Sequence, residues 1–138
     1  TGVQTCALPI LCDGAEKAVN EVLKQFAWVE EVPLSITVCD ENAIIISMNK
    51  RSRDTFQKGD ASLIGKNLMD CHPPHARAKI EEMMRTHETN AYTIEKAGVK
   101  KLIYQAPWFR EGVFGGLVEL SMVIPMEMPH FVRTPPKA

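Results

Sequence analysis

The chain has 138 residues, 45% of them hydrophobic and 24% charged, a composition typical of one globular domain with a core of its own. Its formal net charge of −1 offers no attraction to nucleic acid or to an anionic membrane, so we expect neither as a partner. No apolar run is long enough to span a bilayer. The four cysteines are irregularly spaced and form no CxxC pair, which argues against a disulfide framework or a zinc ribbon and favours a reducing, cytoplasmic setting.

The first ten residues, TGVQTCALPI, match codon for codon the conceptual translation of a common short-read sequencing adapter. The competing interpretation, a truncated secretory signal, is weaker because the segment has no basic start and no apolar core of adequate length. We therefore predict that residues 1–10 are an artefact that adds nothing to the fold, and we exclude them from functional argument.

Residues 11–32 predict a flanking helix. Asp13 can cap its start, with Glu16 at the spacing of a capping box. Apolar residues then recur at alternating intervals of four and three, as in a coiled-coil seam: Ala15, Val19, Val22, Phe26 and Val29. So short a seam packs either on its own domain or on a second copy, and the pattern does not decide between them. We expect a homodimer that uses the helix Asp13–Glu30 together with the outer face of a sheet formed by the rest of the chain.

Residues 33–125 predict two strands, a run of short helices, one longer helix and three more strands. Pro33 ends the flanking helix, and LSITVCD and AIIISM form a hairpin across the turn DEN. Asn49 can cap the helical KRSRDTFQK, in which Phe56 is the expected inward-facing anchor. Pro73 and Pro74 begin the longer helix, because proline is tolerated in the first helical turn.

The last three predicted strands form a meander: AYTIEKA, KKLIYQAPWF and FGGLVELSMVIP. No helix lies between them, which argues against a parallel βαβ arrangement. We predict an α+β fold, a five-stranded antiparallel sheet with short helices and one longer helix on one face. An irregular, proline-rich tail follows over residues 126–138.

Three segments, in this order, resemble a PAS domain: ITVCDENAIIISMNKRSRDTF, LIGKNLMDCHPPHARAKI and VKKLIYQAPWFREGVFGGLVEL. The resemblance covers residues 33–125 and is closest to small bacterial PAS sensors that carry CHPP before the long helix. It implies a sensory or interaction module, usually dimeric, with a ligand cavity between the long helix and the sheet. It does not imply a particular ligand.

The resemblance also bears on cofactors. Haem-binding PAS proteins use a histidine inside the long helix, at the position of Ile80 here, whereas His75 lies five residues earlier at the helix start. Flavin photosensors of the superfamily need a cysteine directly after the Asn of GxN, where this chain has Leu68. We expect no cofactor and a colourless protein. The alternatives are haem held by a shifted ligand, such as Met83 or Met84, and flavin bound non-covalently.

The stretch CHPPH brings Cys71, His72 and His75 together in sequence. We expect no metal site, because adjacent Cys71 and His72 rarely converge on one ion and a structural site needs a fourth ligand. A reactive thiol at Cys71 is favoured by the helix N-terminus and the neighbouring histidine, but Asp70 opposes it. We prefer a structural role, in which Asp70 or His72 caps the helix and Cys71 fills a small apolar gap.

Strand alternation divides the fourth predicted strand into two sets, one with Tyr104 and Trp108 and the other with Ile103 and Gln105. If the first set faces the long helix, Tyr104 and Trp108 line the ligand cavity; otherwise they cover the outer face of the sheet. We expect Glu119, on the next strand, to face solvent. The candidate ligand-binding residues are Phe56, Cys71, His72, His75, Ile80, Met83, Tyr104 and Trp108.

The sequence contains no Ser-His-Asp set, no paired acids at catalytic spacing, no P-loop and no GxGxxG, so we predict that the protein is not an enzyme. The main hypothesis is a sensory module that binds a small molecule between helix and sheet. Its occupancy would change a dimer interface or a contact with a signalling output protein or domain. The alternatives are a ligand-free module for dimerisation or protein interaction, and a haem- or thiol-based redox sensor.

Overall fold

The computed structural model describes residues 9–137, with side chains from residue 14 onward; the adapter prediction for residues 1–8 lies outside it. The helices and strands are α1 (Pro9–Phe26), α2 (Trp28–Glu31), β1 (Ser35–Cys39), β2 (Ile45–Met48), α3 (Lys50–Phe56), α4 (Pro74–Thr86), β3 (Asn90–Lys96), β4 (Val99–Arg110) and β5 (Val113–Ile124). A short 3-10 helix, Leu68–Cys71, precedes α4.

The five strands form one antiparallel sheet in the order β2-β1-β5-β4-β3. The first two strands form the predicted hairpin, and the last three form the predicted meander. Two-residue turns join β3 to β4 and β4 to β5, with positive φ at Ala97 and Gly98 and again at Glu111 and Gly112. This is the turn geometry that matches the right-handed twist of paired strands. The predicted α+β fold is confirmed.

The predicted flanking helix is present, but it starts earlier than expected. It begins at Pro9, so Asp13 lies inside α1 rather than at its start. It is also interrupted at Ala27, and α2 carries the chain to Val32. Four apolar side chains of α1 are more than half exposed in the single chain: Val19, Val22, Leu23 and Phe26.

The long helix α4 starts as predicted, with Pro74 in its first turn. Ile80 and Met83 are buried on its inner side, and they form the centre of the core with Cys39 and Leu117. The helix ends at Thr86. His87 adopts a left-handed conformation, φ 58°, at the C-terminal cap and is exposed.

The strand register determines which side chains face the helices. Gln105 pairs with Glu119, and Glu119 pairs with Thr37 on β1; all three line a cavity beside α4. Tyr104 is the next residue along β4 and pairs with Leu120, so it lies on the opposite, outer face. The inner face of the sheet is therefore polar along a line that crosses β1, β5 and β4.

Candidate functional site

A cavity of about 330 Å³ lies between the inner face of the sheet and the helices. Its walls are mostly apolar, with a few polar side chains from the sheet and from the segment before α4. The lining residues are Thr37, Cys39, Ile45, Met48, Phe56, Leu63, Leu68, Cys71, His72, Ile80, Met83, Gln105, Leu117, Val118 and Glu119. Both the size and this mixture of residues are typical of small-molecule sites.

A line of hydrogen bonds crosses the sheet and ends at Glu119. The side-chain amide of Asn90 donates to Gln105 Oε1 at 2.8 Å, and Gln105 Nε2 donates to Glu119 Oε2 at 2.6 Å. A carboxylate only accepts hydrogen bonds, so Gln105 must present its NH₂ group to Glu119. The prediction that Glu119 faces solvent is wrong, because the register places it beside Gln105 in the cavity wall.

Tyr92 on β3 responds to the same carboxylate. Burial raises the pKa of Tyr92, and the negative charge of Glu119 raises the pKa of this phenol further. The charge of Glu119 therefore acts across the inner face of the sheet.

Asn49, the residue between β2 and α3, connects the sheet to the flanking helices. Its Oδ1 accepts from the backbone N–H groups of Ile36 and Ser52, both at 3.0 Å. Its Nδ2 donates to the carbonyl oxygens of Val29 at 3.0 Å and Leu34 at 2.8 Å. The predicted helix cap is present, and the same buried side chain also binds α2 through Val29.

Three further contacts reinforce this junction. Arg53 on α3 donates from Nη1 to the carbonyl of Met48 at 2.7 Å and forms an ion pair with Glu30 on α2. The hydrogen bond from Arg53 lowers the pKa of Glu30. Thr37 and Ser52 share a hydrogen bond between their hydroxyl groups at 2.5 Å. Because Thr37 and Met48 line the cavity, the junction and the cavity share residues.

The CHPPH stretch is divided between the cavity and the surface. Cys71 and His72 line the cavity, although Cys71 is exposed, and His75 is exposed and outside the lining. The carbonyl of Leu68 accepts from His72 Nδ1 at 2.7 Å, so that nitrogen carries the proton. Across residues 14–137, no group of three or more His, Cys, Asp or Glu side chains is placed to hold a metal ion.

The preferred structural interpretation of this stretch is wrong in its details. No side chain caps α4, where Pro73 occupies the cap position, and Asp70 is an exposed residue of the 3-10 helix. The side chain of Asn67 caps that 3-10 helix by accepting from Met69 N–H at 2.9 Å. Cys71 fills no buried gap. The buried thiol is Cys39, and burial raises its pKa.

Five of the eight predicted site residues meet at the cavity: Phe56, Cys71, His72, Ile80 and Met83. Phe56 lines the cavity, although 47% of its surface is exposed. Tyr104 is exposed on the outer face of the sheet. Trp108 lies against Gly115 and donates from Nε1 to the Cys39 carbonyl at 2.9 Å, so it supports the wall without lining it.

The sequence pattern did not identify Thr37, Gln105 and Glu119 as one group. Each is a polar residue alternating with apolar neighbours on a strand, a pattern that usually means exposure to solvent. Their juxtaposition depends on the pairing of β1 with β5 and of β5 with β4. Only the register of the strands provides that information.

Helices on one face of an antiparallel sheet, beside a ligand-sized cavity, define the class of the fold as an α+β domain. A family model described as PAS fold matches residues 29–96. The chain therefore carries a PAS domain, and the resemblance to the PAS family drawn from the sequence is confirmed. A comparison with curated proteins gave no match.

Solved structures show the same fold at low sequence identity. The PAS domain of an HTR-like protein from Haloarcula marismortui matches with TM-score 0.58 and 15% identity, over 81% of this chain and 99% of that one. A PAS domain from Colwellia psychrerythraea matches with TM-score 0.56 and 22% identity, over 75% and 97% of the two chains. A sensory box sensor histidine kinase from Vibrio cholerae matches with TM-score 0.56 and 11% identity, over 83% of this chain and 99% of that one.

None of the helices within residues 9–137 is long and apolar enough to cross a membrane.

Proposed function

We propose that the protein is a sensory and signalling module that binds a small molecule in the cavity and transmits its occupancy to a dimer or partner contact. The cavity carries this proposal. It is enclosed by the inner face of the sheet and α4, and its volume of about 330 Å³ lies at the small end of the range for ligand sites, roughly 300–1,000 Å³. The likeness to a sensor histidine kinase supports a signalling role.

The junction at Asn49 provides a route out of the cavity. A ligand touching Thr37 acts on Ser52 through the shared hydroxyl hydrogen bond, and one touching Met48 acts on the residue next to Asn49. Asn49 binds the Val29 carbonyl, so a shift of the junction changes how α2 is held. We propose that α2 and α1 carry this change to the output, because coupling requires a continuous set of contacts with two arrangements.

The output contact is proposed to be a second copy of the chain, with a signalling protein or domain beyond it. The apolar side chains of α1 support this, since they are more than half exposed in the single chain. We also propose a cytoplasmic location, a setting in which the free thiols of Cys39 and Cys71 persist.

Ligand retention tests the binding step. The protein is incubated with a small-molecule extract, separated by gel filtration and examined by native mass spectrometry. We expect about one bound molecule per chain, as for a single preformed site. Leu117→Trp, which fills the cavity, should abolish retention, whereas Ile46→Trp, at an exposed position outside the lining, should not.

Leu63→Trp provides a second blocking variant at a half-buried loop position, in case Leu117→Trp does not fold. A cooperative thermal transition shows which variants are folded. Retention that survives both folded blocking variants, or no retention by the unmodified protein, would contradict the proposed binding site.

A ligand-free module for dimerisation is the second candidate, and the exposed seam of α1 favours it independently of the cavity. The two candidates differ in one outcome. A pure dimerisation module keeps its self-association unchanged when the cavity is blocked or occupied, whereas a sensory module changes it.

A further inference from the structure

We infer that the cavity selects a small, largely apolar ligand carrying a protonated amine, which pairs with the carboxylate of Glu119. This inference rests on the proposed function, because it specifies the ligand of the same cavity. It follows from the charges in the wall, the direction of the hydrogen bonds and the size of the space.

The wall of the cavity contains an acidic side chain but no lysine or arginine. Glu119 is the only carboxylate among the lining residues, and neither lysine nor arginine is among them. In the part of the chain that the structure describes, Glu119 takes part in no ion pair, and its one hydrogen bond comes from Gln105. An anionic ligand would meet this carboxylate with no lysine or arginine in the wall to offset the repulsion.

The hydrogen bonds leave acceptor capacity at Glu119 and at His72 Nε2, because the Nδ1 of His72 carries the proton donated to the Leu68 carbonyl. Gln105 Oε1 accepts one hydrogen bond from Asn90, and Gln105 Nε2 donates one of its two hydrogens to Glu119 Oε2. A carboxylate has about four acceptor sites, of which this bond occupies one. The hydroxyl of Thr37 is engaged with Ser52. The ligand group that completes this set is therefore a hydrogen-bond donor.

A positively charged donor suits the site better than a neutral one. The carboxylate of Glu119 is partly removed from water and is met by a single neutral amide, so a cation stabilises it more strongly than a second neutral group.

The space limits the rest of the ligand. An apolar cavity of about 150 Å³ holds benzene. A volume of about 330 Å³ therefore accommodates one ring or a short branched chain together with a short arm. The apolar wall, with Ile45, Met48 and Leu117 among its residues, favours a hydrocarbon body over a sugar or a nucleotide.

Three probes of nearly equal shape and different charge test this inference: 2-phenylethylamine, 2-phenylethanol and phenylacetate. Affinities for the full chain are measured by calorimetry at neutral pH. We expect the amine to bind at least about tenfold more tightly than the alcohol, and phenylacetate to bind most weakly, because a charge-assisted hydrogen bond is about twice as strong as a neutral one.

Glu119→Gln removes the charge and keeps an acceptor for Gln105. It should weaken binding of the amine by about tenfold and change binding of the alcohol by less than about threefold. Glu95→Gln, an equal charge change at an exposed β3 position outside the lining, should change neither affinity. Glu119→Asp, which keeps the charge on a shorter arm, should give an intermediate loss and replaces Glu119→Gln if that variant does not fold.

The outcomes separate this inference from the proposed function. Equal affinities for amine and phenylacetate, or an amine affinity unaffected by Glu119→Gln, overturn the selection for a cation while the alcohol still demonstrates a ligand site. Failure of all three probes to bind at millimolar concentration overturns both the amine inference and the proposed ligand site.

Discussion

Asn49 is the residue on which the junction between sheet and helices depends. Its side chain satisfies two backbone donors and two backbone acceptors from three parts of the chain, and it is only 3% exposed. Asn is suited to this position because one amide group offers both an acceptor oxygen and two donor hydrogens. The sequence predicted its capping role but not its bonds to Val29 and Leu34, which require β1 and α2 to meet in space.

Asn49→Ala should lower the free energy of unfolding by at least about 2 kcal/mol, because each buried group left without a partner costs about 1–3 kcal/mol. Urea denaturation measures this change. Asn42→Ala, at an exposed turn position, is the matched control and should stay within about 0.5 kcal/mol of the unmodified protein. Equal stabilities of the two variants would contradict the role of Asn49.

Gly116 holds β5 close to the end of β1. A Cβ added there would lie 2.0 Å from the carbonyl oxygen of Cys39, and its φ of +142° disfavours any other residue. Gly116→Ala should therefore cost about 3 kcal/mol or more, the combined effect of overlap and backbone strain. Gly14→Ala has open space inside α1 and should not destabilise the protein. Thermal unfolding of both variants measures the difference, and a fully stable Gly116→Ala would show that β5 can move away from β1.

At the scale of elements, the ion pair between Arg53 and Glu30 holds α2 against α3. Both side chains are partly exposed, so the pair orients α2 more than it stabilises the fold. Because the pKa of Glu30 is lowered in the folded state, its contribution is present above the pKa of the unfolded chain. That contribution is lost as pH falls through the folded value.

Glu30→Gln should therefore reduce stability at neutral pH, and the difference from the unmodified protein should shrink toward zero as Glu30 becomes protonated at acid pH. Denaturant unfolding at a series of pH values gives this difference. Glu31→Gln is the control, since Glu31 makes no ion pair among the side chains that the structure describes. A Glu30→Gln effect that grows with acidity would have the wrong sign for this pair.

The apolar seam of α1 allows a second prediction at the scale of elements, which concerns dimerisation. Val22 and Phe26 are 53% and 61% exposed, so replacing both with Asp should leave the domain folded and convert a homodimer into monomers. Light scattering at micromolar concentration measures the mass, and circular dichroism measures the fold. Asn20→Asp with Gln25→Asp adds the same charge at two exposed polar positions of α1 and should leave the dimer intact. A monomeric mass for the unmodified protein would contradict the dimer.

At the scale of the whole molecule, local patterns predicted the elements well because turns, caps and prolines act locally. Pro74 and the two-residue turns are visible in the sequence, and so is the order of the strands along the chain. The start of α1 was predicted too late, because Asp13 is a good cap residue but lies inside the helix.

The candidate site was harder to predict than the fold. Residues on α4, such as Ile80 and Met83, follow from helical periodicity, and they line the cavity. Gln105 and Glu119 do not follow from it, because a one-residue difference in strand register exchanges the inner and outer faces. That exchange also explains why Tyr104 and Trp108 could not be assigned to a face from the sequence alone.

The central claim is that a small molecule bound in the cavity changes the contacts that hold the flanking helices. A two-dimensional amide NMR titration with 2-phenylethylamine tests it most directly. The account predicts saturable shifts at Thr37 and Leu117 in the wall, extending to Asn49 and Val29 at the junction, which share contacts with the cavity. Shifts confined to the outer face of the sheet, or none at millimolar probe, would contradict it.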